Sequence, residues 1–312
     1  MIQKFALLDE LLAFGARHIA LGDVDPIYEM TRNSGLDHRG RCRFAFSHLM
    51  VYDLKYSIPL ADTKDDKAYY DLLTDMFQKE QVGKDRKDVA SRETNPKSRS
   101  FGTQIPKMRL QSPETWVENA VLETRRTKSW RGSINACKLV PTFGEYFGFK
   151  LADIIEAAFD IPDYRVKLDA EFIESMSRGA VTGFELVRTG STSRNRDKSE
   201  VRADPDLKLL FETVLEHFRG TACPHNPNRE IGVQEVETLL CDYRKMRKGT
   251  LTYGDKVLKL QTGISANLEL ETAAALLKAA SPMLERRKYL LNEVGVQNIC
   301  KDHLITLGEN HA

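Results

Sequence analysis

The chain has no Cys-x-x-Cys pair, no long apolar run and almost no excess charge, and each absence removes a class of explanation. Its 312 residues hold five cysteines, Cys42, Cys137, Cys223, Cys241 and Cys300, odd in number and scattered. That excludes a disulfide scaffold and predicts reduced thiols in a cytoplasmic setting. No charged-then-apolar leader opens the sequence and no stretch reaches the length of a membrane span, so a soluble protein without a membrane partner is expected. The formal net charge is +1, with 46 Lys and Arg against 45 Asp and Glu. No general affinity for polyanions follows from so small a total. Strand signals are sparse, and no internal repeat is present. A hydrophobic content of 41% excludes a disordered chain.

What is there is helical periodicity. Between Ile2 and Phe14, the residues Phe5, Ala6, Leu8, Leu11 and Leu12 share a stripe. Asp25-Pro26 and Ser112-Pro113-Glu114 have the form of an N-cap followed by a first-turn proline. Further helices are predicted over 44–54, 68–77, 148–159, 206–218, 233–248 and 268–291, the last broken near Ser281-Pro282. Residues 250–260 read as a short hairpin or as a loop returning to a helix. The expected fold is mostly α, one helical domain over 1–312 with at most a short β-hairpin. It divides into a lobe of 1–110 plus 200–312 and a lobe of 111–187.

Charge is local rather than global. Between Lys84 and Arg109 there are eight basic residues against three acidic ones, and Arg188 to Lys198 is a second basic strip of turn formers. These fall in two polar insertions, 83–111 and 188–205, expected to be flexible. Either strip can be a solvated loop or can meet phosphates by counterion release. In Arg39-Gly-Arg41-Cys-Arg43, three arginines alternate before an apolar helix, and their guanidinium forks suit phosphate as well as they suit a solvated helix start. Trp130-Arg131 follows further cations; its indole is a candidate to stack on an unpaired base or to fill the core.

Two segments carry the chemistry. Leu139-Val-Pro-Thr142-Phe-Gly144-Glu-Tyr146-Phe-Gly148-Phe-Lys150 sets a proline-glycine turn before a helix, with Asp169 further along after a hydrophobic step. Backbone N–H groups at such a turn can hold a DNA phosphate on the positive end of the helix dipole, although a plain structural turn is also common. From Cys223 to Lys245, Glu237 and Cys241 lie one helical turn apart beneath a loop containing His225 and Arg229. A carboxylate there can hold an ammonium or act as a base, or it can simply favour the helix N-terminus. Cys223, His225 and Cys241 lack a fourth ligand at any customary zinc spacing, so no metal site is assigned.

The turn with its downstream aspartate resembles the degenerate helix-hairpin-helix of DNA glycosylases. Together with the Cys223–Tyr243 pattern it is similar to the bacteriophage α-glutamyl/putrescinyl-thymine pyrophosphorylases, or amino acid:DNA transferases, and to the helical domain that accompanies phage 5-hydroxymethyluracil DNA kinases. The likeness covers roughly residues 40 to 260. It implies a glycosylase-like helical fold and an enzyme acting on 5-(pyrophosphoryloxymethyl)uracil in double-stranded DNA, displacing pyrophosphate with the amine of an amino acid or polyamine. Asp169 or Glu237 would then serve as base and Lys150 as a catalytic cation. Arg39, Arg41, Arg43, Trp130, Arg131, His225, Arg229 and Lys245 would contact pyrophosphate, base or amine. Thr142, Gly144, Tyr146 and Gly148 would contact DNA, and Mg²⁺ would be a possible companion of the pyrophosphate. The alternatives are a glycosylase acting on a modified base, which the absence of the lyase-type lysine disfavours, and a non-catalytic DNA-binding module.

Overall fold

Capping chemistry sets the helix boundaries. The Ser112 hydroxyl accepts from Thr115 N before helix Pro113–Thr127. In the same way Asp37, Asp53, Ser129, Ser177, Asp197 and Asp204 each accept a backbone N–H at the start of a helix, satisfying donors that a helix leaves open. The computed structural model describes residues 4–82, 101–141, 143–191, 196–224 and 226–307, and these hold sixteen α-helices. The one sheet among them pairs Ala222–Cys223 antiparallel with Asn226–Glu230. The chain is therefore mostly α with a short hairpin. No helix among the described residues is long and apolar enough to cross a membrane.

The chain forms two compact units. Unit one comprises Met1–Glu29, Val166–Leu258 and Ser281–Ala312; unit two comprises Met30–Arg165 and Lys259–Ala280. The expected boundary at 110/111 falls inside unit two, and the one at 187/188 falls within helix Arg178–Thr189 of unit one. Unit one buries Phe14, Phe172, Phe184, Phe211, Phe218 and Tyr243. Unit two buries Phe44, Phe46, Tyr69 and Tyr70.

One open reading is decided in favour of a loop returning to a helix, and two others change. Residues 250–260 form no strand: Asp255 accepts from both the backbone N and the hydroxyl of Thr252, a capped start for helix Asp255–Ser265. Helix Glu271–Tyr289 runs through Pro282 rather than breaking. Proline removes one N–H there, while the turns on either side keep their own bonds. The second basic strip is also not a free loop over its described part, because Arg188 and Arg196 fold onto buried Glu185, with Asp204 closing the pair. The strip between Lys84 and Arg99 lies outside the described residues.

Candidate functional site

In unit two, helix Trp130–Cys137 turns through 138–144 into helix Glu145–Ala158. Gly148 lets the two helices meet: a Cβ there would lie 2.8 Å from Lys138 Cγ and 3.2 Å from the Ile134 carbonyl oxygen. Gly144 is exposed at the N-cap, has no side chain to cap the helix, and faces open space. Around this turn, Arg131 Nη1 lies 3.8 Å from Glu145 Oε2 and Lys138 pairs with the same carboxylate. Tyr146 is half-buried with its edge on Phe147. Lys150 sits 3.7 Å from buried Asp153. Thr142 lies outside the described residues.

Ahead of the turn, Trp130 and the three arginines have partners within the fold. Trp130 is buried, with its ring edge-on to Phe149 at 5.2 Å; it fills the core rather than stacking on a base. Arg43 is buried too, donating to Glu114 at 2.7 Å and to Thr63 and Asp65, because a carboxylate sunk in the first turn of helix Pro113–Thr127 needs a cation. Arg39 reaches the same carboxylate from the surface at 3.0 Å. Arg41 donates to the Ala158 carbonyl at the end of the hairpin's second helix.

In unit one, helix Val233–Arg247 carries two polar faces. On one, Glu237 Oε1 accepts from Ser177 N at 3.3 Å, Cys241 Sγ lies 3.8 Å from the same oxygen, and Cys241 Sγ is 3.1 Å from Ser177 Oγ. Glycines allow this contact, since a Cβ on Gly179 would lie 2.6 Å from Cys241 Sγ and one on Gly183 would lie 2.2 Å from the Leu240 carbonyl oxygen. On the other face, Thr238 donates to Asp25 at 2.5 Å, while Asp242 takes His18 at 3.0 Å, Lys256 at 2.5 Å and Lys245 at 3.1 Å. Burial works against the Asp242 carboxylate, yet Lys256, His18 and Lys245 hold its pKa well below the usual range.

Asp169, also in unit one, is exposed and accepts from Phe172 N as the N-cap of helix Ala170–Ser175. Arg229 is buried on Glu235 at 2.7 Å, and Glu235 also accepts from Gly232 N and Cys223. His225 lies outside the described residues. Sequence reasoning passed over His18, Asp25, Thr238, Asp242 and Lys256. The spacing Thr238, Asp242, Lys245 marks one helix face, but its partners His18 and Asp25 are more than 200 positions away and leave no local trace.

No family model matches the sequence. A putrescinyltransferase of Delftia phage PhiW-14 is 23% identical over 280 residues, 88% of this chain and 83% of that protein. A glycinyltransferase of Pseudomonas phage PaMx11 is 26% identical over 116 residues, 34% of this chain and 39% of that protein. With a likeness running through nearly its whole helical length, the chain is a transferase. Its likeness is to phage transferases named for a polyamine and for an amino acid.

Proposed function

We propose that the chain modifies DNA, transferring the amine of an amino acid or polyamine onto 5-(pyrophosphoryloxymethyl)uracil in a duplex with release of pyrophosphate. The observation that carries this reading is the likeness to a putrescinyltransferase across 88% of the chain. The amine nitrogen forms a bond to the exocyclic methylene as the C–O bond breaks, and pyrophosphate leaves with the electron pair. The donor arrives as an ammonium, so one proton must pass to a base, the role for which Glu237 and Asp169 are the candidates. The hairpin carries Arg131, Lys138 and Lys150 as cations for DNA phosphate. Its uncapped turn at Gly144 offers backbone N–H groups to a DNA phosphate. Among the described residues no three His, Cys, Asp or Glu side chains converge to hold a metal, so no step is assigned to Mg²⁺.

The test is direct. Protein mixed with duplex bearing the pyrophosphorylated base and a panel of putrescine, glycine, serine and glutamate is expected to release pyrophosphate and leave a heavier nucleoside by mass spectrometry. Folded protein that binds the duplex but yields neither product with any donor sinks the reading.

A further inference from the structure

Glu237 is 2% exposed, yet it has no cationic partner among the described residues. Six of the seven other buried carboxylates have one. Glu114, Asp153, Glu156, Glu185, Glu235 and Asp242 each lie within 4.0 Å of a Lys or Arg nitrogen, and the seventh, Asp23, accepts two backbone N–H groups, from Gly254 and Val257, beside the His18 ring. What Glu237 has instead is one backbone N–H from Ser177 and the Cys241 thiol. Ser177 is the N-cap of helix Arg178–Thr189, and the positive end of that helix offsets only part of the cost of burying a carboxylate. A buried charge left in this state is completed by a ligand that brings the opposite sign.

We infer that Glu237, Ser177 and Cys241 form a subsite for the primary ammonium group of the amine donor. The inference rests on the transferase reading and names where its second substrate sits. An ammonium has three N–H donors, and three acceptors lie together: Glu237 Oε2, Ser177 Oγ and Cys241 Sγ, the last two 3.1 Å apart. Glu237 Oε1 is already engaged by Ser177 N. Cys241 is half-buried whereas Glu237 is buried, so the approach is over the thiol. Glu237, holding the ammonium, is then placed to receive its proton. The remaining elements of the helix face serve position: Gly179 keeps Cys241 against Ser177, since any side chain there would strike the sulfur.

Alkylation of Cys241 with iodoacetamide, read by peptide mass spectrometry, tests the subsite without DNA. Cys300 is exposed and acts as an internal reference, while Cys42, Cys137 and Cys223 are buried. Putrescine is expected to slow labelling of Cys241 by about tenfold at roughly ten times its Kd, leaving Cys300 unchanged. Butane-1,4-diol, with the same carbon chain and no charge, is expected to give no protection. In Glu237→Gln, whose amide oxygen still accepts from Ser177 N, protection disappears and the melting temperature confirms a folded protein. Ser177→Ala provides a second variant in which protection weakens severalfold. The inference is overturned by equal labelling with and without putrescine and glycine, by a Cys241 that resists labelling altogether, or by protection that survives Glu237→Gln. Protection without transfer to DNA keeps the subsite and sinks the DNA reading; transfer with an unprotected Cys241 does the reverse.

Discussion

His18 Nε2 lies 3.0 Å from Asp242 Oδ2 in unit one, and neither side chain reaches solvent. Lys256 approaches the same oxygen at 2.5 Å, Lys245 takes the other at 3.1 Å, and Asp23 faces the far ring nitrogen at 3.7 Å. Removing Asp242 leaves His18 in the interior without its close partner and takes a carboxylate from both Lys256 and Lys245. Asp242→Asn is therefore expected to cost about 3–5 kcal/mol, measured by urea unfolding.

The same residue sets an acid limb. Burial opposes ionisation, but Lys256, His18 and Lys245 win, so the folded carboxyl titrates below its unfolded counterpart. A depressed pKa adds stability that is fully present above the unfolded value, near pH 4, and is lost as pH falls toward the folded value. The parent is expected to lose stability below about pH 4 more steeply than Asp242→Asn, by up to roughly 1.4 kcal/mol per pH unit. Parallel acid limbs in the two proteins would remove Asp242 from the linkage.

Arg39 and Arg43 reach one carboxylate from opposite environments. Arg43 is buried and Arg39 is 72% exposed, yet both contact Glu114 Oε1. Arg43→Ala is expected to cost about 3–5 kcal/mol because it strands Glu114 in the interior. Arg39→Ala should cost under about 1 kcal/mol, since water and salt screen the outer pair. Equal losses in thermal melts of the two variants would contradict this assignment.

How much was legible follows from which forces are local. The helix start at Ser112 and the amphipathic runs were readable, because caps and periodicity act within a few residues. The Glu237–Cys241 pairing was readable for the same reason, as both sit on one helix face. What the residue order hides is the partner across a fold. Alternating arginines look like a phosphate site until Glu114, 71 positions from Arg43, is seen to claim two of them. Trp130 beside Arg131 suggests stacking until Phe149 closes over it, and Arg229 suggests a ligand contact until Glu235 takes it. The acidic and histidine cluster at Asp242 depends on residues more than 200 positions apart.

Helix Arg178–Thr189 packs against Val233–Arg247 with no space to spare. A Cβ on Gly183 would lie 2.2 Å from the Leu240 carbonyl oxygen and 2.7 Å from its carbon, so backbone must move to admit it. Gly183→Ala is expected to cost about 3 kcal/mol. By the same geometry it shifts Glu237 and Cys241 relative to Ser177, and donor protection of Cys241 should fall with the melting temperature. A variant of parental stability would mean that the two helices separate at little cost.

Glu145 holds both Arg131 and Lys138 at the mouth of the hairpin. If those cations meet DNA, the glutamate competes with phosphate for them. Arg131→Ala with Lys138→Ala is then expected to lower the salt slope of duplex binding by about 2, close to one per charge removed. Glu145→Gln should act oppositely, strengthening binding at low salt, because it frees two cations and removes a repelling charge beside the turn. The order of affinities, Gln variant above parent above double alanine variant, is a signature that a general loss of folding cannot produce. Fluorescence anisotropy on one duplex across a salt series reads all three, and an unchanged slope in the double variant would move the DNA contact away from this hairpin.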